Sequence, residues 1–308
     1  MNKPKDTFKK LKSFFSEDIW NIDLDELSKA RARALKYLKV MMITIKTFSS
    51  EKIGFQAVAL SFFSTMSVVP FVAIVFAVTG GLGLADKLTE FLYEYFNNSQ
   101  QVIDTILGFA QNIINTAQSS AMGLVSALLF VWIIIWMMMS VEKVFNNVWM
   151  VQKSRNLFRR LSVILVMLLV SPFIVLVFFG GSVVYSHALN YLGLDVESFT
   201  IFKTILGWIL FGVVATLTFS AMYKFIPNAA VDYSNALRAA IFSGIAFTIM
   251  QYVYLETQVM VTRLNGIYGA FAAVPLFMIW INVGWFIILI GAELSYAFQH
   301  VDNYNIED

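Results

Sequence analysis

The sequence predicts an all-α integral membrane protein: six transmembrane helices, with amphipathic helices at the N-terminus and in one outer loop. Three observations carry that prediction. Of 308 residues, 58% are hydrophobic and only 14% charged, against roughly 25% charged in soluble domains, and mean hydropathy is +0.71. Several apolar runs exceed the ~18 residues that mark a membrane-spanning helix. Lys and Arg, finally, fall almost entirely on one side of the resulting topology.

Residues 1–52 form a basic, amphipathic N-terminal region. Phe8, Leu11, Phe14 and Phe15 recur at helical spacing opposite Lys9, Lys10 and Lys12. Such a helix lies in the headgroup region or packs on the protein's own cytoplasmic face. A second helical stretch, from Asp23 to about Lys46, becomes apolar at Val40–Ile45. The membrane domain, 53–298, follows. Its first span covers about Phe55–Val78 and stops at Gly80-Gly81-Leu82-Gly83. Between residues 82 and 120, Leu84, Leu88, Leu92 and Tyr95, then Ile103, Ile106, Leu107, Ala110 and Ile114, predict two amphipathic outer helices parted by Asn97-Asn98-Ser99. These rest on the outer leaflet or cap an outward cavity. The second span covers about Ala121–Val141, and the third about Leu161–Tyr185, broken by Pro172 and Gly180-Gly181. The fourth covers about Ile201–Tyr223, the fifth Ala236–Val259 and the sixth Tyr268–Phe298, before a short tail, 299–308.

Charge sets the orientation. Residues 1–52 carry 12 of the 22 Lys and Arg, and the 142–160 connection carries five. Lys224 and Arg238 fall on the same side, while the other side has only Lys87, Lys203 and Arg263. Both termini are thereby expected in the cytoplasm, in agreement with an even number of spans, which requires both ends on one side. The N-terminus lacks the continuous apolar run and small-residue cleavage site of a signal peptide. There is no cysteine, so disulfides and thiolate chemistry are excluded.

Two groups of polar residues stand out. Topology brings Glu142, Arg238 and Glu293 to one level at the cytoplasmic boundary. Glu293 closes an apolar run of about twenty residues, where a carboxylate is costly without a partner or nearby water. The three form a gating ion-pair network or ordinary interfacial charge. In the first span, Ala57, Ser61 and Thr65 repeat every four residues, with Ser64 alongside and Pro70 interrupting the helix. Close helix packing explains that stripe, and so does a discontinuous helix that binds substrate near mid-membrane. Gln251 and Asn282 place amides in the fifth and sixth spans, bonded to one another or lining a wet path.

Enzyme chemistry finds little footing, and no catalytic residue, cofactor or metal is expected. The two histidines, His187 and His300, have no metal-ligand spacing. No serine, histidine and aspartate share one depth for a triad. The glycines at 80–83 lack the Lys-Ser/Thr of a phosphate-binding loop. A net charge of +2 argues against a nucleic-acid surface.

Three segments resemble the YihY/BrkB family of bacterial inner-membrane proteins: Ala59-Leu60-Ser61-Phe62-Phe63 through Pro70, Tyr223-Lys224-Phe225-Ile226-Pro227, and Tyr268-Gly269-Ala270 through Trp280 to Gly291-Ala292-Glu293. The resemblance covers about residues 40–298. It implies a bacterial inner-membrane location, a virulence or serum-resistance label, and movement of envelope lipids or related molecules. It supplies no catalytic motif. The family's older ribonuclease BN label does not suit a chain without metal ligands or a sizeable hydrophilic domain. The expectation is a transporter or flippase of a lipid or other amphiphilic envelope molecule, with Ser61, Ser64, Thr65, Pro70, Gln251 and Asn282 along the route. The alternative is a non-transporting scaffold or assembly factor for envelope biogenesis. Membrane lipids are the expected partners, alongside a homo-oligomer or an envelope-assembly partner.

Overall fold

The computed structural model describes residues 19–20, 22, 28–50, 52–81, 121–151, 155–156, 162, 200–263 and 269–302, with scattered positions between 83 and 115. Among these, six helices follow one another: α1 (Lys29–Ser50), α2 (Ile53–Gly81), α3 (Ala121–Val148), α4 (Thr200–Phe225), α5 (Tyr233–Arg263) and α6 (Gly269–His300). The predicted N-terminal helix at Phe8–Phe15 and, apart from Ser162, the third span at 161–185 lie outside the described residues. Four helices, α3 to α6, are long and apolar enough to cross a membrane, while the apolar stretch Ile53–Val68 of α2 is shorter. The chain is thus an all-helical, multi-pass membrane protein.

Helices are the required solution here. Hydrocarbon offers backbone N–H and C=O groups no partner, so each must bond within its own segment. Surfaces follow the same logic. Leu128, Trp132 and Phe55 are exposed at 69%, 64% and 78%, a pattern suited to lipid and costly in water.

α6 is the hub and touches each of the other five helices; α4 packs on α5, and α3 on α2. Small residues permit the closest approaches. A Cβ on Gly244 would stand 3.2 Å from Thr216 Cα, and one on Gly212 3.2 Å from Thr248 Oγ1, so these glycines let α4 and α5 nearly touch.

The densest core sits at the end of the bundle that carries the Lys and Arg residues, hereafter the basic end. It gathers the last turns of α3 (Val141, Phe145, Val148), α4 (Phe219, Tyr223) and α6 (Leu289, Ala292, Ala297) around the first turns of α5. A second, smaller cluster joins Leu88 and Leu107 of the predicted outer helices to Val75 and Phe76 of α2. These outer residues therefore cover the far end of α2. Beside them the Tyr93 hydroxyl donates to Asp104, which, with lesser help from desolvation and the carboxylate's charge, holds that phenol above its ordinary range.

Candidate functional site

Polar side chains within the apolar helices are paired across two seams. Between α2 and α6, Asn282 Nδ2 donates to Ser61 Oγ at 3.2 Å and Trp285 Nε1 to Ser64 Oγ at 2.8 Å. Between α5 and α6, Trp280 Nε1 donates to Gln251 Oε1 at 2.8 Å. Gln251 and Asn282 thus bond to different partners and not to each other. Ser61 passes its own proton to the Val58 carbonyl, and Thr65 donates to that of Ser61. Pro70 is buried inside α2. Ser67, one turn earlier, donates to the Phe63 carbonyl at 2.9 Å and faces Met137 Sδ of α3 at 2.8 Å. The small-residue stripe of α2 is therefore a packed seam, in which the Ser61 hydroxyl joins Asn282 of α6 to the Val58 carbonyl.

The basic end departs from expectation. Glu293 is fully buried and Glu142 is 6% exposed, whereas Arg238 is exposed. Among the described residues no ion pair joins Arg238 to either carboxylate; the ion pair found there is Lys36–Asp302, at 2.7 Å. Helical phase is the reason. Ala236, Ala239, Ala240 and Ser243 share the buried face of α5, and position 238 falls on the opposite side of a 3.6-residue period. Equal depth in the membrane did not mean a shared face.

The basic end is held together by bonds to the loop between α4 and α5. Arg155 donates to the carbonyls of Ile226 at 3.1 Å, Phe225 at 3.0 Å and Pro227 at 2.9 Å. Of these, Phe225 O is an acceptor that the end of α4 leaves without an intrahelical donor, and a cation there also complements the helix dipole. Asn146 of α3 accepts from Asn228 N at 2.7 Å. Gln299 of α6 accepts from Asp232 N at 2.8 Å and donates to Ala230 O at 2.9 Å, and Lys224 donates to Val231 O. Side chains from α3, α4, α6 and the chain beyond α3 thus hold one short loop. α3 itself ends with Val151 N on Asn146 O, Met150 N on Asn147 O and Met150 at φ 50°, the paired bonds of a Schellman ending.

Just inside this layer, Tyr223 donates to Ser243 Oγ at 2.9 Å, and Ser243 to Ala239 O at 3.1 Å. Gly291 lies directly beneath: a Cβ there would overlap Ser243 Oγ and Tyr223 Oη and approach Tyr223 Cζ to 2.7 Å. Reading the sequence missed Arg155, Asn146, Gln299 and Ser243. Pro227 immediately after an apolar run was a usable signal for a helix end in need of a cap. Tyr223 and Gly291 already stood inside the quoted motifs, without a role.

Two further features bear on chemistry. Among the described residues no group of three or more His, Asp or Glu side chains is placed to hold a metal. A groove of about 430 Å³ opens between α4 and α5, lined by Trp208, Gly212, Thr216, Ile245 and Thr248. It lies away from Ser61–Pro70.

The family model described as Virulence factor BrkB matches residues 44–308. Among curated proteins, the chain is 26% identical over 284 residues to a UPF0761 membrane protein of Alteromonas mediterranea, covering 89% of this chain and 92% of that one. A UPF0761 membrane protein of Haemophilus influenzae is 24% identical over 259 residues, covering 83% and 93%. One from a Janthinobacterium species is 25% identical over 280 residues, which is 88% of this chain and 61% of that longer protein. No solved structure matches.

Proposed function

The chain belongs to the Virulence factor BrkB family, and on that premise we propose that it is an inner-membrane transporter or flippase for a lipid or other amphiphilic envelope molecule. It does so without enzymatic chemistry, with both termini in the cytoplasm. The observation that carries this reading is the α2–α6 seam. Asn282, Trp285, Ser61 and Ser64 bond to one another inside apolar helices, and interhelical hydrogen bonds in membranes are individually weak. A polar headgroup can replace each of them bond for bond. The buried Pro70 in α2 frees one backbone carbonyl and gives that helix a place to bend. The basic end, with Glu142 and Glu293 enclosed, is the closed cytoplasmic side of the route.

The absence of cysteine makes the test specific. Ser64→Cys with Trp285→Cys places two thiols across the seam, too far apart for a direct disulfide once the indole is gone but within reach of a short bis-methanethiosulfonate reagent that joins them through reducible bonds. Reconstituted wild type should move fluorescent phospholipid analogues between leaflets. The cross-linked variant should not, and reduction should restore movement. Undiminished movement in the cross-linked protein would overturn this reading.

A second reading has its own support. The loop between α4 and α5 is tied down by several side chains, and the end beneath it is densely packed. A rigid end of that kind suits a non-transporting scaffold or assembly factor. Wild-type protein that moves no lipid, yet stays bound to an envelope-assembly complex, favours the scaffold.

A further inference from the structure

α1 does not lie flat across the end of the bundle. It runs antiparallel to α6: Lys36 Nζ reaches Asp302 at 2.7 Å, Tyr37 sets its ring edge-on to Phe298 at 5.7 Å, and Phe48 meets Phe286 at 6.2 Å. Its far end therefore reaches the level of Phe286, well inside the candidate span Pro275–His300. One face of α1, formed by Val40, Ile43, Thr44 and Thr47, is buried.

The opposite face is organised. Tyr37, Met41 and Ile45 follow one another at four-residue steps and are 43%, 57% and 66% exposed. Arg33 is exposed one step earlier on the same line, and exposed Arg31, turned about 160° from Arg33 around the helix axis, flanks the ridge from its other side. Lys36 is engaged by Asp302 and adds no free charge to this face. The Tyr37 ring also meets Phe242 at 6.4 Å, itself 49% exposed on α5. The ridge thus continues the surface that a spanning helix presents to lipid. From Arg33 to Ile45 the helix advances about 18 Å, close to the roughly 15 Å of one leaflet's share of the hydrocarbon core.

Cations at one end of an apolar ridge as long as one leaflet match the two halves of a single lipid. We infer that the outward face of α1 is a binding site for an anionic phospholipid, with its phosphate at Arg31 and Arg33 and an acyl chain along Tyr37, Met41 and Ile45. The site is independent of whether the protein moves lipid, because it concerns a resident lipid and not a transported one.

The test uses the full chain in nanodiscs of phosphatidylcholine and phosphatidylglycerol, with retained lipid counted by native mass spectrometry. Wild type should retain phosphatidylglycerol preferentially. Arg31→Gln and Arg33→Gln should each lower that retention about fivefold, the worth of one basic residue at an anionic surface. Met41→Ser with Ile45→Ser should weaken retention of both lipids. Unchanged thermal midpoints in these variants show that folding is intact, and the Arg238→Gln control should retain lipid like wild type. The inference fails if the double arginine variant keeps its phosphatidylglycerol. It fails equally if Arg238→Gln loses as much, which would mark a general basic surface. If removing residues 1–18 changes retention and the α1 substitutions do not, that segment is the occupant and the inference is again wrong. Lipid retention needs no transport, so this outcome is separate from that of the cross-linking experiment.

Discussion

Tyr223 and Ser243 meet hydroxyl to hydroxyl at 2.9 Å, directly over Gly291, where α4, α5 and α6 come together. The tyrosine is fully buried, and its hydroxyl would be costly there without an acceptor. The glycine is what lets α6 approach closely enough for that contact.

Gly291→Ala should therefore be destabilising. The added methyl has no room, and overpacking a tight core costs about 1–3 kcal/mol, occasionally more. Gly207→Ala is the matched control, since nothing lies within 4 Å of its Cβ position. It should be neutral or gain up to about 1 kcal/mol from helix propensity. Thermal midpoints in detergent, compared between the two, check the prediction; equal effects would refute it.

Arg155→Met keeps much of the aliphatic stem but removes the donors to the carbonyls of Phe225, Ile226 and Pro227. Hydrogen bonds to a charged group contribute about 1.5–3 kcal/mol, so a loss of that order is expected. Arg155→Lys should recover only part of it, because a compact ammonium cannot reproduce the planar fork. Hydrogen exchange at residues 225–232 should report local opening in the Met variant before the whole bundle melts.

The α2–α6 seam calls for a double-mutant cycle. Ser64→Ala and Trp285→Phe remove the two halves of the bond at 2.8 Å. Their coupling should be about 0.6 kcal/mol and no more than about 1.7 kcal/mol, the range for interhelical bonds in membranes. A larger value would mean a seam too firm to open during transport, favouring the scaffold reading.

The outer contact between Tyr93 and Asp104 predicts a pH dependence. With the phenol's pKa raised in the folded protein, the stabilisation from this contact is complete below the ordinary tyrosine pKa of ~10 and is lost as pH climbs through the raised value. An ultraviolet difference titration of wild type against Tyr93→Phe should show this late ionisation, and Asp104→Asn should return it towards ordinary tyrosine. Protection of the outer loop from protease should follow the same curve.

Much of the helical layout was legible in the residues. The five predicted spans that fall among the described residues each coincide with a helix, because an apolar run of that length has few other ways to satisfy its backbone. The polar positions Ser61, Ser64, Gln251 and Asn282 were equally visible, since polarity inside an apolar run must be answered by something. Their partners were not. Two of the three interhelical bonds around them come from the indoles of Trp280 and Trp285, which in a sequence look like ordinary membrane aromatics. Arg155 counted only as one more positive charge.

The apolar runs by themselves determined a multi-pass helical membrane protein. What only tertiary structure decided was which residues face one another. Depth along the membrane normal follows from counting residues at 1.5 Å each, but rotation about each helix axis is set by packing against neighbours. That rotation buries Glu293 and turns Arg238 outward. It also puts Tyr223, Ser243 and Gly291 in one contact.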